Sequence, residues 1–288
     1  MTGSSAQKLR DLLAGPDIIV MPCCYDAFSA RMIERAGFDL TFMSGFAVSA
    51  SRLAVPDTGL ISFAEMADQG RNICSAISIP MIGDGDTGYG NALNVKRTVR
   101  EYARAGFAGI MIEDQVAPKR CGHTRGKHVI PFDEACQRVQ AAVDARDEGA
   151  DILIMARTDA RATHDIDEGL RRMKAFAEIG ADILFLEAPR SEEEMARFCA
   201  EIPGPKMANM LEQGATPVLP PAQLQEMGFK IAAYPLTLLL TIIPAIEKAL
   251  QSLKEGRHPD GLASFQDLQD VVGFPDYFEA EKRYAVED

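Results

Sequence analysis

Two aspartates alternate along the glycine-rich stretch GDGDTGYGN (83–91), which sets Asp84 and Asp86 beside open backbone, as an oxygen-only cation site requires. A lone DxD is common. Here Glu113, and Asp57 in the segment PDTG, bring the carboxylates to four, enough to surround one hard divalent cation through direct and water-bridged bonds. Mg2+ suits that shell, with Mn2+ as the alternative. Only His123 and His128 are near each other and no cysteine pair accompanies them, which argues against zinc. The chain also lacks a nucleophile elbow and a phosphate-cradling loop, so acyl transfer and nucleotide hydrolysis are without their usual signatures.

Directly after Glu113 and Asp114 comes QVAPKRCGHTRGKHVIP (115–131), where Lys119, Arg120, His123, Arg125, Lys127 and His128 crowd around Cys121. Most charge runs are solvated faces. The cysteine favours chemistry, because flanking cations lower a thiol pKa and would let Cys121 hold or release a proton near neutral pH, as a general acid must. The run also reverses the sign of an acidic protein, whose net charge of −12 disfavours nucleic acid and anionic lipid and leaves a small anionic substrate to be drawn in locally.

These residues need a scaffold that gathers strand ends. One phrase recurs: a helix stops at Ala-Gly or Gly-Ala and an apolar run follows, as in RAGFDLTFMSG (35–45), RAGFAGIMIED (104–114), EGADILIMARTD (148–159) and IGADILFLEAP (179–189). Further runs at 18–21, 80–84, 206–210 and 230–234 raise the count to eight candidate strands, alternating with amphipathic helices such as 94–107 and 167–180. The expectation is a single α/β domain over 1–288, a (β/α)8 TIM barrel, rather than an open doubly wound sheet. Residues 236–288 supply more helix than eight units need and read as a C-terminal extension packed on a partner subunit. In a barrel the carboxyl ends of the strands share one rim, so Ser44, Gly45, Asp84, Asp86, Glu113, Arg157, Glu187, Asn209 and Glu212 converge. Asp114 and Asp159, also at strand ends, read as caps of the following helices.

With 288 residues, 47% hydrophobic and 25% charged, the chain can bury a full core. The first fifteen residues lack the apolar core of a signal peptide, no apolar run reaches a membrane span, and six cysteines without framework spacing fit reduced thiols; the expected location is cytoplasmic.

Taken together, PDTG, GDGDTGYGN, ED followed by KRCGH, ARTDA, LEAP and ANMLEQGATP resemble the isocitrate lyase and phosphoenolpyruvate mutase superfamily, over nearly the whole chain and in the right order. The resemblance implies a magnesium-dependent barrel enzyme, a mobile gating loop, and homo-oligomers, dimer or tetramer, that exchange C-terminal helices. It implies that Asp84 and Asp86 hold the metal, that Asp57 and Glu113 support it through water, and that Ser44, Gly45, Phe46, Arg157, Glu187 and Asn209 contact substrate, with Cys121, Gly122 and His123 closing over it. KRCGH resembles the lyase branch rather than the phosphonate mutases, hydrolases or oxaloacetate decarboxylases. The implied reaction is retro-aldol cleavage, with Cys121 as the acid and either Glu113 or Tyr25 as the base. Where methylisocitrate lyases carry an arginine for a third carboxylate, this chain has Leu240, and no arginine occurs from 229 to 256. A third carboxylate would be buried without a partner. A 2-hydroxy dicarboxylate of the 2-alkylmalate or 2,3-dimethylmalate type is therefore the expected substrate. A 2-methylisocitrate lyase, an oxaloacetate hydrolase, a phosphonate enzyme and an inactive ligand-binding barrel are the alternatives.

Overall fold

The computed structural model describes residues 3–121 and 126–285, and the chain divides into two compact units, Met1–Thr237 and Leu238–Asp288. The first unit contains eight parallel strands: β1 (Ile19–Cys24), β2 (Thr41–Met43), β3 (Met81–Asp84), β4 (Gly109–Glu113), β5 (Leu153–Thr158), β6 (Ile183–Leu186), β7 (Met207–Asn209) and β8 (Ile231–Tyr234). Hydrogen bonding runs in the order β6-β5-β4-β3-β2-β1-β8-β7, and a parallel bridge between Leu184 and Lys206 joins the two ends. This is the closed (β/α)8 barrel expected from the repeat.

The recurring glycines end helices. Helix Ala92–Ala105 stops at Gly106 (φ 100°) and helix Ile166–Ile179 at Gly180 (φ 105°), left-handed positions where a side chain would be strained. The strands that follow are buried throughout, which is why β4, β5 and β6 read as continuous apolar runs instead of alternating ones. Met21, Phe42, Met111, Met155, Phe185, Met207 and Ala233 project into a shared interior cluster. The amino-terminal helix Ser5–Ala14 joins that cluster through Ala6 and Leu9, with Leu12 and Leu13 packed against it. It stoppers the end of the barrel opposite the rim, and the buried acids collect at the strand carboxyl ends.

The second unit holds most of helix Thr237–Lys254, which carries Pro244, followed by helices Phe265–Val272 and Phe274–Tyr284. Leu240, Ile243, Ile246, Leu250 and Leu253 form a stripe at helical spacing, and all are exposed.

Candidate active site

At the rim, the backbone fixes the acidic loop before any side chain acts. The Gly85 amide donates to the Met111 carbonyl and the Glu113 amide to the Asp86 carbonyl (2.9 Å each), stitching the turn after β3 to β4. The Tyr102 hydroxyl donates to the Asp84 carbonyl (2.8 Å), while the Asp86 amide donates to Asp84 Oδ1 (2.9 Å). Asp86 is held at φ 47°, a strained conformation of the kind that gathers at functional sites. Ser44 caps the short helix Gly45–Val48. A Cβ on Gly45 would overlap the Asp84 carboxylate and sit 3.0 Å from its Cγ, so only glycine lets this turn lie against the acid.

Asp57, Asp84, Asp86 and Glu113 are all buried, and they converge on Lys119, which is buried too. Its ammonium lies 2.7 Å from Asp57 Oδ1, 2.8 Å from Asp86 Oδ1 and 3.9 Å from Asp84 Oδ2. Burial alone would depress the lysine pKa; Asp86, Asp84, Asp57 and Glu113 overcome it and hold Lys119 well above its ordinary value. Burial pushes the Asp86 carboxyl up to about 6, with Lys119 opposing and Asp84 and Asp57 adding. Burial also lifts Glu113 well above the carboxylate range against the pull of Arg157, with Asp159 adding to the rise.

Around the rim the buried acids Asp57, Asp84, Asp86, Glu113, Asp114, Asp159 and Glu187 outnumber the buried bases Lys119, Lys127, Arg138, Arg157 and Arg172. Asp57 Oδ1, Asp86 Oδ1 and Glu113 Oε1 accept no well-directed hydrogen bond; the first two meet Lys119 as charge pairs only. An all-carboxylate donor set with spare oxygens fits a hard divalent cation. As the side chains stand, no three ligating groups among the described residues form a ready chelate, since the ammonium sits between Asp57 and Asp86.

The basic segment is tied back onto this cluster. The buried Gln115 side chain donates to the Arg120 carbonyl (2.8 Å) and accepts from its amide (3.0 Å), and the Cys121 amide donates to the Asp57 carbonyl (3.2 Å). Gly122 and His123 lie outside the described residues. At the far end Lys127 turns inward to Asp159 (3.1 Å).

On the facing side Arg157 binds Asp159 with two nitrogens (2.8 and 3.0 Å), Glu187 at 3.1 Å and Glu113 at 3.3 Å. Asn209 reaches Glu187 Oε1 at 3.4 Å. The expectation that Asp114 and Asp159 are helix caps is wrong. Asp159 precedes helix Ala160–Thr163 but makes no side-chain cap bond, and Asp114 accepts from Thr158, the Asp159 amide and Arg172.

A cavity of about 600 Å³, counting its open mouth, brings together ten of the residues singled out in the sequence: Ser44, Phe46, Asp57, Asp84, Cys121, Arg157, Glu187, Asn209 and, from the basic run, Lys119 and Arg120. Gly45, Asp86 and Glu113 are bonded or packed directly behind that lining. Tyr25 is not part of it: its backbone is engaged by Ser29 and Gln69, and burial, then Asp26, raises its pKa, so it stays a neutral phenol. Sequence reasoning missed the turn of Lys119 onto the acids and the apolar share of the lining, Phe42, Met111, Phe185, Met207, Leu211, Pro235 and Leu236. A charge run gives no direction for each side chain, and lining residues have the same types as core residues.

Residues 9–254 match the family described as phosphoenolpyruvate phosphomutase. A 2,3-dimethylmalate lyase of Eubacterium barkeri is 43% identical, over 98% of this chain and 99% of that protein. A 2-methylisocitrate lyase of Aeropyrum pernix is 42% identical over 96% and 89%. A crystal structure of 2,3-dimethylmalate lyase, at 36% identity, superimposes with a TM-score of 0.93 over 98% of this chain and 96% of that one.

Proposed function

The chain belongs to the phosphoenolpyruvate phosphomutase family, and from that premise we propose that it is a carbon-carbon lyase acting on a 2-hydroxy dicarboxylate of the 2,3-dimethylmalate or 2-alkylmalate type. The observation that carries this reading is the cavity that brings Asp57 and Asp84 together with Cys121 and Arg157. Asp84 and Asp86, supported by Asp57 and Glu113, would hold a Mg2+ or Mn2+ ion, which would supply Lewis-acid polarisation of the substrate's oxygens when bound.

The protein side chains account for the remainder. The hydroxyl proton passes to a base, Glu113 or Tyr25; neither lines the cavity, and Glu113 is the nearer to its chemistry because it contacts the lining residue Arg157 at 3.3 Å. The C2–C3 bond then breaks, its electron pair passing to C3 and the adjoining carboxylate while C2 becomes the ketone of a 2-oxo acid such as pyruvate. Arg157 balances the added negative charge, and the Cys121 thiol gives its proton to C3. Ser44, Gly45, Phe46, Glu187 and Asn209 orient the substrate, and Gly122 and His123 belong to the same segment as the acid.

A tricarboxylate such as 2-methylisocitrate is the second reading, favoured by the 42% identity to a lyase of that name. Against it, the cavity's cations among the described residues are Lys119, Arg120 and Arg157, and both Lys119 and Arg157 already face several carboxylates. By the family resemblance, the position where methylisocitrate lyases carry an arginine holds Leu240 in this chain.

The stripe Leu240, Ile243, Ile246, Leu250 and Leu253 supports a homo-oligomer, dimer or tetramer, formed through the carboxyl-terminal helices. The free cysteines and the acidic balance support a cytoplasmic enzyme without nucleic-acid or membrane partners; no helix among the described residues is long and apolar enough to cross a membrane. The test is release of a 2-oxo acid from 2,3-dimethylmalate. Turnover that is abolished by EDTA and restored by Mg2+ supports the proposal, and undiminished turnover in EDTA contradicts its metal requirement.

A further inference from the structure

The network behind Arg157 is more elaborate than a strand-to-helix turn needs. Asp159 is fully buried, and its carboxylate takes Arg157 Nε at 2.8 Å, Arg157 Nη2 at 3.0 Å and Lys127 Nζ at 3.1 Å. Its amide is fixed by Asp114 Oδ1 (2.9 Å). Asp114 Oδ2 in turn accepts from the Thr158 hydroxyl (2.5 Å) and from Arg172 (2.9 Å), and Glu168 holds Arg172 from the other side (2.8 Å). Stripping water from this many charges is costly, and a buried ion network is weak evidence of a gain in stability. The network converges on one group, the Arg157 guanidinium.

We infer that Asp159 is a positioning residue for Arg157. Its two oxygens occupy the Nε–Nη2 edge of the guanidinium, an edge that Glu113 and Glu187 also share. The Phe185 ring lies 5.3 Å from the Arg157 Cζ. Carboxylate and ring together fix both the position and the plane of the group. Among the described residues nothing bonds Nη1, and Arg157 lines the cavity, so Asp159 reserves that nitrogen for an anionic group of the substrate. Lys127 closes on the same carboxylate from the end of the segment that begins at Cys121. One acid therefore holds both Lys127 and the Arg157 guanidinium.

The inference rests on the reading of Arg157 as a substrate ligand, and a double-mutant cycle separates the two. Asp159→Asn keeps size and removes the charge; a misplacement of about 1 Å in a substrate-holding group costs on the order of 100-fold in kcat/KM. Arg157→Lys discards the planar fork and is expected to lose roughly 1,000-fold. If Asp159 acts only through Arg157, the double variant falls no more than about threefold below Arg157→Lys alone. Losses that multiply would overturn the inference, as would an Asp159→Asn enzyme with wild-type kcat/KM. Thr158→Val, which removes one donor to Asp114 at constant size, covers the case in which Asp159→Asn fails to fold. A loss of a few fold in the wild-type background that disappears in the Arg157→Lys background supports the inference, and the same loss in both backgrounds contradicts it. Fully active Arg157→Lys would sink the reading of the arginine itself, and wild-type protein that is silent on 2,3-dimethylmalate would sink the lyase assignment, both distinct from failure at Asp159.

Discussion

Lys119 is where the account of the acid cluster is most exposed to test. Replacing it with methionine leaves Asp57, Asp84 and Asp86 facing one another without their buried counter-charge, whose nitrogen stands 2.7 and 2.8 Å from two of them. Removing one partner of a buried ion pair costs about 3–5 kcal/mol, and each kcal/mol moves the unfolding midpoint by roughly 2–4 °C in a protein of this size, so the variant should unfold about 6–20 °C lower in EDTA. Proton uptake limits the loss. Burial already places the Asp86 pKa at about 6, above its unfolded value, so this carboxyl contributes stability at low pH that is lost as pH rises through about 6; the deficit should therefore be larger at pH 8 than at pH 6. Divalent cations should reverse the deficit. The variant cluster is more negative and should bind Mg2+ roughly tenfold or more tightly, and a cation present at 100 times its Kd adds about 2.7 kcal/mol. Thermal unfolding in EDTA and across a Mg2+ titration, with calorimetric binding alongside, reads both quantities. Equal midpoints in EDTA together with unchanged Mg2+ affinity would refute the reasoning that Lys119 and a divalent cation answer to the same carboxylates.

Other consequences are as direct. Cys121→Ser should bind substrate with little change in KM and turn over about 10²–10⁴ times more slowly, the usual contribution of a general acid; a fully active variant would remove the thiol from the mechanism. Gly45→Ala sets a methyl against the Asp84 carboxylate and should weaken Mg2+ binding at least about tenfold in a calorimetric titration, with the fold intact by circular dichroism. At pH 8 iodoacetamide should modify Cys121, which lines the cavity, ahead of Cys24, Cys74 and Cys199, whose pKa values burial raises to about 12, 12 and 11; peptide mapping that finds those three labelled first would contradict the placement of Cys121.

The barrel was readable because strands buried on both faces spell continuous apolar runs, and because Gly106 and Gly180 stop helices where only glycine is unstrained. Extents were less legible: the run 35–45 contains only Thr41–Met43 as strand, since burial and hydrogen bonding, not hydrophobicity, end it. The stopper helix Ser5–Ala14 carries the same amphipathic pattern as any surface helix, and nothing in its sequence says that Leu9 enters the barrel. Asp84 and Asp86 stood out because glycines flank them, and Cys121 because cations do. Asp114 and Asp159 were misread because an acid after a strand looks the same whether it caps a helix or braces an arginine; the difference lies in Arg172 and Lys127, residues 58 and 32 positions away. Lys119 could be found as a charge but not as a partner, since the fold that turns it onto Asp57 and Asp86 is not encoded in local spacing.

The central claim, a lyase for a dicarboxylate rather than a tricarboxylate, is tested most directly by offering 2,3-dimethylmalate, 2-methylmalate and 2-methylisocitrate in parallel with Mg2+ and following the 2-oxo acid released. The cavity's cations and Leu240 predict turnover of the malates, with 2-methylisocitrate slower by at least about tenfold, the equivalent of 1.4 kcal/mol for an unpaired buried carboxylate. Preference for 2-methylisocitrate would contradict it, placing a third carboxylate partner where this account has none.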